Sequence, residues 1–143
     1  MLGFVGILSP FDAAFHDDLS QLEREPLFLG LRYGNLWQRD LLDDQTRPGF
    51  IDAMQRLAAT GRTLDSPTPD PRLIKGLIRL TDAVPTLRIV VDHLPSAAVP
   101  AGQWADFKRD VMTLGERPNV FAKLAESGVS GLPHHTLARQ GRG

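Results

Sequence analysis

Five short apolar runs alternate with four amphipathic stretches along this chain, and few folds accept that order. Residues 4–8, 27–31, 63–64, 87–91 and 120–122 read as strands, with 87–91 rich in β-branched side chains. Between them, Phe15, Leu19 and Leu22 recur four and three apart, and Phe50, Ile51, Met54, Leu57 and Ala58 trace a second helical face after Pro48. Leu73, Ile74, Leu77 and Ile78 form a third face behind the N-cap pair Asp70-Pro71, and Trp104, Phe107, Val111 and Leu114 form a fourth. A βαβαβαβαβ order predicts a parallel sheet with right-handed crossovers, either doubly wound or part of a barrel. The 143 residues fit one domain and fall short of the ~250 residues of a complete (β/α)8 barrel. Residues 1–130 are read as that domain and 131–143, where the periodicity stops, as a flexible basic tail.

Composition excludes several function classes. Sixteen basic residues against seventeen acidic ones leave a net charge of -1, and the basic residues are not clustered with aromatics. No field gathers phosphates or anionic lipid, so nucleic acid and membrane are not expected partners. The absence of cysteine removes disulfides, a thiolate nucleophile and thiolate metal sites, so any metal must take His and carboxylate ligands. The apolar opening stops at Ser9-Pro10, too short for a signal segment or a span, and a cytoplasmic protein is expected. There is no GxGxxG, GxxxxGK[ST], GxSxG or HExxH.

In parallel α/β folds the chemistry lies beyond the carboxyl ends of the strands. That rule gathers Arg32, Tyr33 and Asn35 after the second strand, Asp65 after the third, Asp92 and His93 after the fourth, and Lys123 and Glu126 after the fifth. His93 can ligate a metal or move a proton near neutral pH; its plainer reading is a strand-end cap. Arg32 can clamp a carboxylate and Lys123 can support an oxyanion, while the alternative for both is an ion pair with Asp65 or Glu126. Tyr33 and Asn35 are candidate ligands for substrate hydroxyls, although turn chemistry explains Asn35 equally well. Asp92 falls opposite His93 if the strand geometry persists, and is read as bonding backbone or orienting the loop. His16 reads as solvated, and His134-His135 as part of the tail.

Three of these segments resemble the amidohydrolase-related family that includes sugar lactonases and 2-pyrone-4,6-dicarboxylate hydrolase. Phe28-Leu29-Gly30-Leu31-Arg32-Tyr33 is similar to that family's fourth-strand Gly-hydrophobic-Arg segment, and Ile89-Val90-Val91-Asp92-His93-Leu94 to its sixth-strand Asp-His motif. Pro118-Asn119-Val120-Phe121-Ala122-Lys123-Leu124 is similar to its seventh-strand Lys-Leu-Ser segment. The resemblance implies a partial (β/α)8 TIM barrel of about five parallel strands. It also implies a hydrolase acting on a lactone or related carboxylate-bearing small molecule, by attack of water on a carbonyl in the barrel mouth. By position His93 corresponds to a sixth-strand histidine that binds substrate or a divalent metal such as zinc, Arg32 to a fourth-strand arginine that contacts an anionic substrate in some members, and Lys123 to the seventh-strand lysine, to which the resemblance gives no role. With the strand-end reading, His93 and Lys123 are the catalytic candidates and Arg32, Tyr33 and Asn35 the substrate-binding ones.

The family's first-strand His-x-His pair and last-strand Asp have no counterpart, which leaves that metal site incomplete. Leu94-Pro95-Ser96-Ala97 stands where Gly-Lys-Pro is usual, and Ala125-Glu126 where Ser-Gly is common. The expectation is a chain running from about the third barrel strand to the seventh, as an incomplete gene product. An open parallel sheet with two free edges also suggests a homo-oligomer or a complementing chain. The alternative is a non-catalytic remnant or interaction module on the same scaffold.

Overall fold

The computed structural model describes residues 2–67, 69–94 and 98–123. The order is β1 (Phe4–Gly6), α1 (Phe15–Glu23), β2 (Phe28–Arg32), α2 (Leu41–Asp44), α3 (Phe50–Ala59), β3 (Thr63–Ser66), α4 (Pro71–Ala83), β4 (Arg88–Val91), α5 (Trp104–Gly115) and β5 (Val120–Ala122). All strand pairings are parallel, and neighbours in the sheet are neighbours in sequence. A doubly wound sheet reverses its order at a switch point, whereas this one never does, so it is a segment of barrel topology.

Local signals explain most element ends. The Asp70 side chain accepts from the Leu73 amide at 2.7 Å and caps α4, with Pro71 in the first turn, where no amide hydrogen is needed. Pro48 lies one residue outside α3, whose N-cap is Gly49 at φ +89°. The periodicity does not anticipate α2. That single turn is held by its own cap, Asp40 accepting from Leu42 and Asp43, rather than by an apolar face.

The helices cover one face of the sheet. Phe28, Leu31, Leu64, Ile89 and Val91 point into them and are fully or almost fully buried, packed with Phe15, Leu19, Leu57, Leu77 and Leu80. Each large apolar side chain so removed from water contributes roughly 1.5–3 kcal/mol before entropy is set against it. On the other face, which would be a barrel's lumen, Leu29 and Phe121 remain 48% exposed.

Candidate active site

The site begins with an irregularity in β2. Phe4 pairs with Phe28 but Val5 pairs with Gly30, so β2 carries one residue more than β1 there. A bulge of this kind resets the alternation of faces. Leu29 lies on the lumen face before it, and Arg32, rather than Leu31, lies on that face after it. Only glycine fits at position 30, because a Cβ would sit 2.0 Å from the Thr63 carbonyl oxygen.

From β2 to β5, each strand end then supplies one charged side chain to a single layer. Arg32 donates from Nε and Nη2 to Asp65 Oδ2 at 2.9 and 2.7 Å, and from Nη2 to Asp92 Oδ2 at 3.2 Å. The Lys123 ammonium lies 3.2 Å from Asp65 Oδ1 and 2.9 Å from Asp92 Oδ1. Both carboxylate side chains are 2% exposed, while those of Arg32 and Lys123 are 38% and 54% exposed. The acids lie beneath and the cations face the lumen.

This arrangement splits the two acids. Burial and the hydrogen bond to the Asp92 carboxyl raise the Asp65 pKa against the opposing pull of Arg32 and Lys123. Burial also pushes Asp92 upward, but its bond to Asp65 and the charges of Lys123 and Arg32 outweigh that and hold it below the ordinary range. The hydrogen bond to Asp92 raises the Lys123 pKa, so its ammonium stays charged.

Arg32 and Lys123 therefore meet through Asp65, the ion-pair partner that the strand-end positions offer, and through Asp92, expected instead to bond backbone or orient the loop. Asp65 belongs to β3 itself, which runs on to Ser66 instead of ending at Leu64. Asp92 follows the alternation of Ile89 and Val91 toward the helices, which turns it to the lumen, where it takes both cations. An all-apolar run hides that alternation; burial reveals it. His93 is exposed and adopts φ +56°, a left-handed turn that ends β4.

Tyr33 and Asn35 are placed elsewhere. Tyr33 is 3% exposed, edge-on to Phe50, and donates to Asp44 Oδ2 at 2.5 Å. Asn35 Oδ1 accepts from the Leu41 amide at 3.0 Å and its Nδ2 donates to Asp70 Oδ1 at 3.5 Å, tying the loop to α2 and α4. Glu126, His134 and His135 lie outside the described residues.

Below the charged layer is a cavity of about 360 Å³, lined by Leu29, Val90, Asp65, Lys123, Arg62 and Arg88 among others. Its mixed apolar and cationic lining suits a small anionic molecule. Metal binding is a different matter. Among the described residues no group of three or more His, Asp or Glu comes together, and the oxygens of Asp65 and Asp92 already face cations. Three or more ligands are needed, so the described residues do not fit a metal by themselves.

The strand order and the position of this charged layer define a piece of a (β/α)8 barrel. Residues 1–138 match the amidohydrolase family, and the chain belongs to it. It is similar to an L-fucono-1,5-lactonase of Burkholderia ambifaria, 31% identical over 124 residues, which covers 85% of this chain and 41% of that protein. The chain thus spans less than half the length of that curated relative. An amidohydrolase 2 from Bifidobacterium longum subsp. infantis has the same fold at a TM-score of 0.51 and 22% identity, over 85% of this chain and 53% of that one. Among the described residues no helix is long and apolar enough to cross a membrane.

Proposed function

We propose that this chain forms the substrate-holding part of a cytoplasmic hydrolase that opens a lactone, a sugar lactone above all, by attack of water on the carbonyl. The observation that carries the reading is the pair of lumen-facing cations, Arg32 and Lys123, seated on buried Asp65 and Asp92 at the carboxyl ends of four successive strands. The similarity to an L-fucono-1,5-lactonase supports the sugar-lactone class. Arg32 holds the carboxylate that the substrate carries or acquires by a charge-assisted bond from Nη1, the nitrogen that Asp65 and Asp92 leave open. Lys123 offers a point charge to the oxyanion formed when water adds to the carbonyl. His93, exposed at the end of β4, takes the proton of the attacking water and gives it to the ring oxygen as the C–O bond of the lactone breaks. A divalent metal such as zinc would need ligands besides His93.

Turnover of a panel of aldonolactones by the full chain, followed as acid release at constant pH, tests this. Arg32→Gln, Lys123→Met and His93→Ala should each lower kcat/KM by roughly 100-fold. Turnover indifferent to all three would overturn the assignment. A second reading rests on the same two cations, already paired with buried acids: an interaction module that binds such molecules without turning them over. β1 and β5 each have a single neighbour in the described sheet. A second copy or a complementing chain would pair those edges.

A further inference from the structure

A buried ion pair is weak evidence for stability, because desolvating two charges offsets most of their attraction. The partner of position 65 on β4 is the apolar Val90 and the lumen face also carries Leu29, while its partner on β2 is Arg32. The sequence places at position 65 a carboxylate that is 1% exposed. Exposure is also unequal within the layer, the acids being covered and the cations open.

We propose that Asp65 is a positioning residue, which holds the Arg32 guanidinium and the Lys123 ammonium as a fixed pair that receives one carboxylate of the ligand. This rests on the reading of the site given above. Asp65 takes two donors of Arg32, Nε and Nη2, on one oxygen and so sets the plane of the guanidinium, while its other oxygen faces Lys123. Asp92 takes only one donor of Arg32, at the longer distance of 3.2 Å, and leaves that plane free to tilt. Among the described residues no carboxylate accepts from Arg32 Nη1, which remains available to a ligand. A carboxylate on both cations gains charge-assisted bonds only while the two stay at one separation.

The test is calorimetric titration of the full chain with D-gluconate and with uncharged D-gluconamide, which differ at the carboxylate. The wild-type chain should prefer gluconate by roughly tenfold, and Asp65→Asn, nearly the same shape without the charge, should reduce that preference to about twofold. Asp65→Glu, which keeps the charge but displaces it by a methylene, should fall between them. A merely structural role would weaken both ligands alike and leave the ratio unchanged, and that result would overturn the proposal. Should Asp65→Asn fail to fold by circular dichroism, Asp65→Glu decides: an intermediate ratio supports the proposal and the wild-type ratio overturns it. A wild-type chain with no preference also overturns it. Lactone turnover by that same chain then shows whether the hydrolase reading fails too or stands alone.

Discussion

Arg32 lays Nε and Nη2 against a single oxygen of Asp65, at 2.9 and 2.7 Å, across the ladder in which these two residues are register partners. The contact joins β2 to β3 at the carboxyl end of the sheet, and Asp92 and Lys123 extend it across β4 and β5. Four strands are thereby linked by side chains at the place where a barrel keeps its chemistry.

The two kinds of member of that layer should differ in what they contribute to stability. Asp92→Ala removes a buried charge and leaves two solvent-reaching cations still paired with Asp65, and should cost about 1 kcal/mol or less. Lys123→Met leaves two buried carboxylates with one cation between them, and should cost about 3 kcal/mol. Urea unfolding of the two variants checks the order; an equal or inverted pair of midpoints contradicts the layering of acids beneath cations.

The bulge in β2 predicts a second, larger effect. Gly30→Ala puts a methyl group 2.0 Å from the Thr63 carbonyl oxygen, a distance no side-chain motion relieves, because the obstacle is backbone. The β2–β3 ladder must open, at a cost of about 3 kcal/mol or more. Amide exchange at Tyr33, whose N–H donates to the Asp65 carbonyl, should accelerate in step, and unchanged protection there would show that the bulge tolerates a side chain.

Tyr33 offers a pH test, since it is the sole tyrosine. Burial first, then the hydrogen bond to Asp44, raise the phenol pKa well above its ordinary 10.0. The folded state holds the proton more tightly than the unfolded state, so this contribution is complete below pH about 10 and is lost as pH rises further. Ultraviolet absorbance of tyrosinate should rise near pH 10 in urea and only together with unfolding in buffer. Titration near pH 10 without unfolding would place the hydroxyl in solvent.

How much of this was legible beforehand depended on what each signal encodes. Spacings of three and four mark the helical faces of α1, α3, α4 and α5, and Asp70-Pro71 marks the start of α4. These features are local, because a helix and its cap close hydrogen bonds within a few residues. The order of strands and helices likewise limited the sheet to two parallel topologies, and Arg32 and Lys123 stood out by strand-end position alone. Strand-end position offers Asp65 as a possible ion-pair partner, but the apolar pattern ends β3 at Leu64, because in Thr63–Ser66 only Leu64 is apolar.

The sequence by itself determined the alternation, the helical faces, the cap of α4 and the family. The pattern of elements alone leaves barrel and doubly wound sheet open; the family resemblance points to the barrel and the tertiary structure shows it, through pairings that join residues more than twenty positions apart. The tertiary structure alone turned Asp92 toward the lumen and Tyr33 into the core, for which way a residue faces depends on a bulge in one strand and on what covers each side of the sheet. No local spacing records either, because the energy that settles them comes from burying apolar surface and pairing charges between distant segments.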